Sequence, residues 1–363
     1  MNSLVAPDTH VNERICELQE LVRTSRKLHI VGSKSKDGFH HSSDGATTIS
    51  TPSLSGVVSY DPLEFVVTLL GGTRVLEVVE LLEKHGQYLP FDPLLVDRGA
   101  TIGGTVASNA AGPGRFRFGG IRDFLLGIRF IDGRGNCIRG GGQVVKNAAG
   151  FDYPKLMVGS RGTLGFIYEL TFKVFPKPES YATIVATFSQ LDEAIASMNK
   201  LASSPLDIEA IELIPIELGS RGYELAIRIG GIASALMNRL NRLQKLVPVS
   251  MLLQGKDEWT YWRAATNLEW ARDKGPLVKL PITPNAIASM DMQLSQAQID
   301  RRYSVGGNVA WIATAWNDQW SQQLGDAQTF FGPLPIDHVG SPRELGPFGL
   351  AIKNALDPES KFI

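Results

Sequence analysis

Apolar residues recur every third or fourth position at Val11, Ile15, Leu18 and Val22, which predicts an amphipathic helix over 11–25 with one buried stripe. The period then shortens. Residues 28–31, 47–49, 57–60 and 64–69 are β-rich runs parted by Pro52, Ser55-Gly56 and Asp61-Pro62, the punctuation of strands and turns. Helical spacing returns after Gly71-Gly72, with Val75, Val78, Val79 and Leu82 as its stripe, Thr73 as its expected N-cap and Gly86 as its stop. Residues 124–132 and 137–139 read as strands around a hairpin turn at Gly133-Arg134-Gly135-Asn136. Asp152 is placed to cap a short helix, and 166–175 reads as a further strand.

Phe175-Pro176-Lys177-Pro178 marks a domain boundary, because two prolines in three residues cannot continue a central strand. Beyond it the order is strand 181–188, helix 192–202, strand 208–214, strand 223–229, helix 233–246 and strand 250–253, a ferredoxin-like split. A helix follows through Trp259, Trp262 and Trp270, an aromatic stripe suited to a core or a partner interface, and then strands at 277–281 and 304–312. The expected class is α+β: a two-lobed first domain over 1–178, with lobes of about 1–98 and 99–178, a smaller ferredoxin-like domain over 179–340, and a C-terminal segment over 341–363.

Composition narrows the chemistry. A net charge of −1 without a basic cluster argues against nucleic acid, and no apolar run is long enough to span a bilayer. The N-terminus lacks the basic and apolar regions of a secretory signal, which makes the cytoplasm the expected compartment. Cys16 and Cys137 are the only cysteines and form no C-x-x-C spacing, so a disulfide framework, a zinc site and an iron–sulfur cluster held by this chain are not expected. Glycine is the strongest signal, with 17 of the 37 falling between Gly99 and Gly165. Gly is costly inside helices and strands, so its density implies turns of positive φ or main chain approached closely by a ligand. Neither G-x-G-x-x-G between a strand and a helix nor G-x-x-x-x-G-K-[ST] is present. The loop Gly32-Ser33-Lys34-Ser35-Lys36-Asp37-Gly38, leaving the strand at 28–31, can aim successive N–H groups at one anion or serve as a plain solvent loop.

Three blocks in this order, GATIGGTVASNAAGPGRFRFGGIRDFLLGI, GGQVVKNAAGFD and KLMVGSRGTLGFIYELTFKV, resemble the FAD-binding domain of the vanillyl-alcohol oxidase and para-cresol methylhydroxylase (PCMH) superfamily. Within it they are most similar to the glycolate oxidase E-subunit family. The resemblance covers about residues 28–178 and implies a PCMH-type fold with FAD as cofactor. It implies FAD contacts from Gly32, Ser33, Lys34, Ser35, Lys36, Pro90, Gly99, Ala100, Thr101, Ile102, Gly103, Gly104, Ala107, Ser108, Gly112, Gly162, Gly165 and Ile167. It also implies partners: a second FAD subunit and an iron–sulfur subunit of a glycolate oxidase-like complex, which could hold the chain at the inner membrane periphery.

The chain departs from that family in two ways. Members that oxidise 2-hydroxy acids usually carry a His-x-His metal site, and none of the six histidines forms one; no metal is expected. No histidine lies in 32–38 or 99–112, where histidyl-flavin members attach the cofactor, so the FAD is expected to be non-covalent. Catalytic residues are not identified; Lys146, Lys279 and Arg343 are the candidates for flavin or carboxylate contacts. The expected function is FAD-dependent 2-hydroxy-acid oxidation within a complex, with a flavin-holding relay subunit lacking its own substrate site as the alternative. An enolpyruvyl reductase would need an NADPH-using cap, for which there is no signal.

Overall fold

The computed structural model describes residues 9–39, 45–142, 151–217, 221–313, 328–332 and 346–363. The first half is built on a five-stranded antiparallel sheet in the order Val57–Asp61, Val66–Leu70, Phe166–Lys173, Leu125–Ile131, Cys137–Gly141. Phe166–Lys173 takes the centre: Phe166, Tyr168, Leu170 and Phe172 make one face an apolar, buried row, and Ile167 and Thr171 are buried on the other. The sheet draws strands from both sides of residue 98, so the two expected lobes share it. Beside it, Leu28–Val31 pairs in parallel with Thr47–Ser50, and helix Thr9–Thr24 lays Leu18 and Val22 against this pair.

Thr73 does not cap the next helix. Val75–Glu83 starts from Arg74 without a side-chain cap, and the Thr73 hydroxyl instead donates to Leu70 O at 2.7 Å and accepts from Gly56 N–H at 2.9 Å. It ties two strand ends together, a long-range use that local sequence does not announce. Asp152 does cap Tyr153–Met157, accepting from Lys155 N–H.

The second half is one eight-stranded antiparallel sheet: Met251–Gln254, Ser180–Phe188, Arg221–Gly231, Ile208–Glu217, Asp300–Ser304, Val309–Ala313, Leu277–Pro281, Gln328–Phe331. In chain order the first four are fourth, first, third, second, the ferredoxin-like arrangement that the element order predicts. The last four repeat it in reverse, and the two sets meet where Leu213 pairs with Tyr303. The ferredoxin-like unit is therefore half of a larger sheet. The single strand expected over 304–312 is a hairpin, broken at Gly306 and Gly307, whose φ of +60° and +82° reverse the chain. Trp262 is buried on helix Gly255–Thr266, whereas Trp259 is 56% exposed on it.

The two halves share a core, in which Phe91, Leu94 and Ala110 belong to the same buried cluster as Leu277, Trp311 and Phe330. Helix Pro347–Leu356 and the tail pack back onto the first half. Phe362 bridges to Leu28, and Lys361 Nζ donates to Val22 O at 3.0 Å.

Candidate cofactor cleft

A solvent-open cleft of about 770 Å³ lies where the parallel strand pair meets the Gly-rich segment. Gly32, Ser33, Lys34, Ser35 and Lys36 form one wall, Thr101, Gly103, Gly104, Ala107 and Ser108 a second, and Gly162, Gly165 and Ile167 a third. Helical spacing explains the second wall: on Ile102–Ala107 the positions 103, 104 and 107 face the cleft while Ile102 and Val106 are fully buried in the core.

Five residues expected here do not line it. Ile102 faces the core, and Ala100 is buried with its carbonyl accepting from Val75 N–H. Gly99 forms a left-handed turn, and Pro90 is buried against Gly114. Gly112 donates to the Phe91 and Asp92 carbonyls. The sequence reading conversely missed His29, Ile30, Thr51, Arg161 and Ile363, all of which line the cleft. Only Arg161 carried a local signal, standing between Ser160 and Gly162 in a turn where its own φ is +54°.

The donors at the cleft are unevenly committed. The N–H groups opening Ile102–Ala107 are used internally: Ile102 donates to Thr73 O, Gly103 to Gly71 O and Gly104 to Thr101 Oγ1. Gly103 is glycine for packing, since a Cβ there would lie 2.7 Å from Gly71 O. The loop differs. Among the described residues no backbone carbonyl accepts from the N–H groups of Ser33 to Lys36. Lys36 is 6% exposed, has no carboxylate partner there, and its one hydrogen bond is to Ser35 Oγ at 3.4 Å. Burial lowers its pKa to about 8. The Thr51 hydroxyl is buried without a partner. A buried cation, an orphaned hydroxyl and unclaimed N–H groups around one opening fit a bound anion such as a pyrophosphate.

Gly162 has a φ of +79°, and a Cβ there would meet only Ile30, at 3.5 Å. Its glycine serves backbone conformation and cleft space, whereas Gly103 serves contact with the neighbouring chain.

Of the candidate catalytic residues, Lys146 and Arg343 fall outside the described residues. Lys279 lies in the junction between the halves, 4% exposed, its Nζ 3.0 Å from Asn109 O and 5.7 Å from the ring centroids of Trp311 and Phe330. Burial, with Arg115 adding repulsion, lowers its pKa to about 7. No group of three or more His, Cys, Asp or Glu able to hold a metal occurs among the described residues.

Residues 5–141 match the family described as FAD binding domain. The chain is 38% identical over 195 residues to glycolate oxidase subunit GlcE of Escherichia coli K12, covering 54% of this chain and 55% of that protein. It is 32% identical over 174 residues to D-lactate dehydrogenase of Anaerostipes hadrus (48% and 36% covered) and 30% identical over 175 residues to glycolate oxidase subunit GlcD of Bacillus subtilis (48% and 36%). It thus spans roughly a third to a half of these relatives' own length. A solved structure of alkyldihydroxyacetonephosphate synthase superposes with a TM-score of 0.69 at 16% identity, covering 96% of this chain and 73% of that one. That likeness extends the shared fold across both halves.

Proposed function

We propose, from the FAD binding domain that this chain carries over residues 5–141, that the protein is the FAD-holding subunit of a complex oxidising glycolate or a related 2-hydroxy acid. FAD is its cofactor, and when bound it supplies the hydride and electron chemistry. The reading rests on one observation: Lys36, the Thr51 hydroxyl and the N–H groups of Ser33 to Lys36 converge, uncommitted, on a single cleft. These groups would hold the pyrophosphate, and Gly162, Gly165 and Ile167 would leave room along the opposite wall. The attachment is non-covalent, since no histidine occurs in 32–38 or 99–112. Acid precipitation of holoprotein should release yellow FAD into the supernatant; flavin in the pellet would refute this point.

The complex supplies what the chain lacks. Cys16 and Cys137 are too few to hold an iron–sulfur cluster, and the glycolate oxidase subunits among the chain's relatives support a complex in which an iron–sulfur subunit and a second FAD subunit complete the electron path. Among the described residues no helix is long and apolar enough to cross a membrane, and attachment at the inner membrane would come through partners.

A second reading, a flavin-holding relay subunit without its own substrate site, is favoured by Lys279. That cation is buried and already donates to the protein's own Asn109 carbonyl. Stopped-flow mixing of the holoprotein with glycolate and D-lactate tests both readings. Slow or absent bleaching of the isolated chain, with activity appearing on addition of partner subunits, supports the complex. Fast saturable bleaching without partners would make the chain a self-sufficient dehydrogenase.

A further inference from the structure

A second cleft, enclosing about 1250 Å³, opens between the two halves and shares no lining residue with the cofactor cleft. Tyr88 and Asp92 come from the first half, Tyr181, Arg228, Glu258 and Trp262 from the sheet and helix of the second, and Trp259 stands at its rim. Arg228 is held on three sides. Its Nε donates to Glu258 Oε1 at 2.7 Å, and its guanidinium stacks 4.0 Å from the Tyr181 ring centroid and 5.5 Å from that of Trp262. Nη1 lies 3.9 Å from Asp92 Oδ2, beyond hydrogen-bonding distance.

Arg228 therefore has spare capacity. Among the described residues no acceptor takes a hydrogen bond from either of its terminal nitrogens, nor from the hydroxyls of Tyr88 and Tyr181. Four N–H bonds and two O–H groups face a cavity whose walls also include Leu89, Val96 and Pro178. A ligand that satisfies them must accept hydrogen bonds. Its charge is constrained by the surroundings: the charged residues lining the cleft are Glu83, Asp92, Glu179 and Glu258 against Lys177, Arg228 and Arg263, so the lining has no positive excess to draw an anion. A cation would meet the guanidinium itself. An uncharged acceptor on a flat ring satisfies both limits and can stack on the indole of Trp259.

We infer that this cleft binds an uncharged, planar compound carrying a ring carbonyl, the quinone class, with the carbonyl oxygen accepting from Arg228 and the tyrosine hydroxyls. The inference concerns binding and does not depend on how the cofactor cleft is used.

The FAD-loaded full chain is titrated by calorimetry with 2,3-dimethyl-1,4-naphthoquinone, whose substituted ring positions do not add to the exposed Cys16 and Cys137. The comparators are 2,3-dimethylnaphthalene, which lacks the oxygens, and 1,4-naphthoquinone-2-sulfonate, which adds a negative charge. The quinone should bind at least roughly tenfold more tightly than the hydrocarbon, the difference expected for hydrogen bonds to a charged donor. Trp259→Ala, at an exposed position, should weaken quinone and hydrocarbon alike, and Tyr181→Phe, which keeps the stacked ring, should weaken only the quinone. Saturable binding lost in these two variants supports the site. Equal affinity for quinone and hydrocarbon, tighter binding of the sulfonate, or quinone binding unchanged in both variants would overturn it.

Discussion

The two clefts solve recognition with different materials. In the cofactor cleft the uncommitted donors are mainly main-chain N–H groups of the four consecutive residues Ser33 to Lys36, positioned by where one strand ends and the chain turns. In the junction cleft they are side-chain groups brought from residues 88, 181 and 228 by sheet register and by contact between the halves. The first is nearly a local structure; the second exists only when the whole chain is folded. Damage should separate accordingly: changes in the first should cost ligand, and changes in the sheet that builds the second should cost stability.

The largest loss of ligand is expected from Gly162→Val. A β-branched residue is strained at a φ of +79°, and its side chain would enter the cleft. The variant should purify folded and without measurable FAD absorbance. Lys34→Ala, on the same cleft, should keep most of its flavin, because N–H groups and Lys36 still face the anion. Equal flavin occupancy in the two variants would break the assignment of the cleft.

The opposite outcome is expected where helix Ile287–Gln296 is tied to strands Asp300–Ser304 and Arg221–Gly231 of the sheet. Asp291, 1% exposed, accepts from Arg301 Nε at 2.6 Å and Nη2 at 2.8 Å, and from the hydroxyls of Tyr303 at 2.9 Å and Tyr223 at 2.8 Å. Asp291→Ala strands a buried guanidinium and should cost about 3–5 kcal/mol in denaturant unfolding. FAD affinity of the fraction that remains folded should stay the same. A large fall in that affinity would show that the two regions are not separable.

A smaller, pH-dependent effect is expected at Lys36, whose pKa lies at about 8 before an anion arrives. A bound pyrophosphate favours the charged form and raises that value. Below about pH 8 the lysine is protonated with or without FAD, so affinity should be flat. Above it the free protein must take up a proton on binding, and affinity should fall by up to about tenfold per pH unit. Lys36→Met should bind FAD roughly tenfold to a hundredfold more weakly at neutral pH and lose that slope. Equilibrium dialysis between about pH 6.5 and 9.5 measures both quantities, and a wild-type curve without slope would separate Lys36 from the anion.

The same contrast explains what was legible in the sequence. Glycine density over 99–165 and a strand running into Gly32-Ser33-Lys34-Ser35-Lys36 pointed to a main-chain site, which needs special residues close together, and the family resemblance implied the residues of the three walls. Thr51 was invisible, since its place depends on the parallel pairing of Val31 with Ser50. Among the glycines of 99–112, Gly103 and Gly112 are also small to let main chain approach main chain, a demand that the sequence alone does not separate from that of a ligand. The first ferredoxin-like unit followed from element order, but its fusion to a second needed the pairing of Leu213 with Tyr303, which no local pattern encodes. Nothing in the run Glu224-Leu225-Ala226-Ile227-Arg228 distinguishes Arg228 from a solvated strand residue.

An effect that changes sign with pH is expected at Lys279, at the junction of the halves. This lysine is as hidden as Lys36 but has an acceptor, the Asn109 carbonyl, one residue beyond Ser108 of the cofactor cleft. Its pKa falls from the ordinary 10.5 to about 7 because burial penalises the charge. The sign follows from proton counting. Between about pH 7 and 10.5 the unfolded chain binds more protons at this position than the folded one, so this group makes the protein more stable as pH rises through that window, and its full cost is felt below pH 7. Lys279→Met removes the buried charge and one hydrogen bond worth about 1 kcal/mol. The variant should melt above wild type near pH 6, and the gain should shrink toward pH 10, where the lysine is neutral in the fold and the lost hydrogen bond dominates. Differential scanning calorimetry of the FAD-free protein across that range reads the crossover. A Tm difference independent of pH would mean that Lys279 keeps its charge in the fold, held by an anion or by water at the junction.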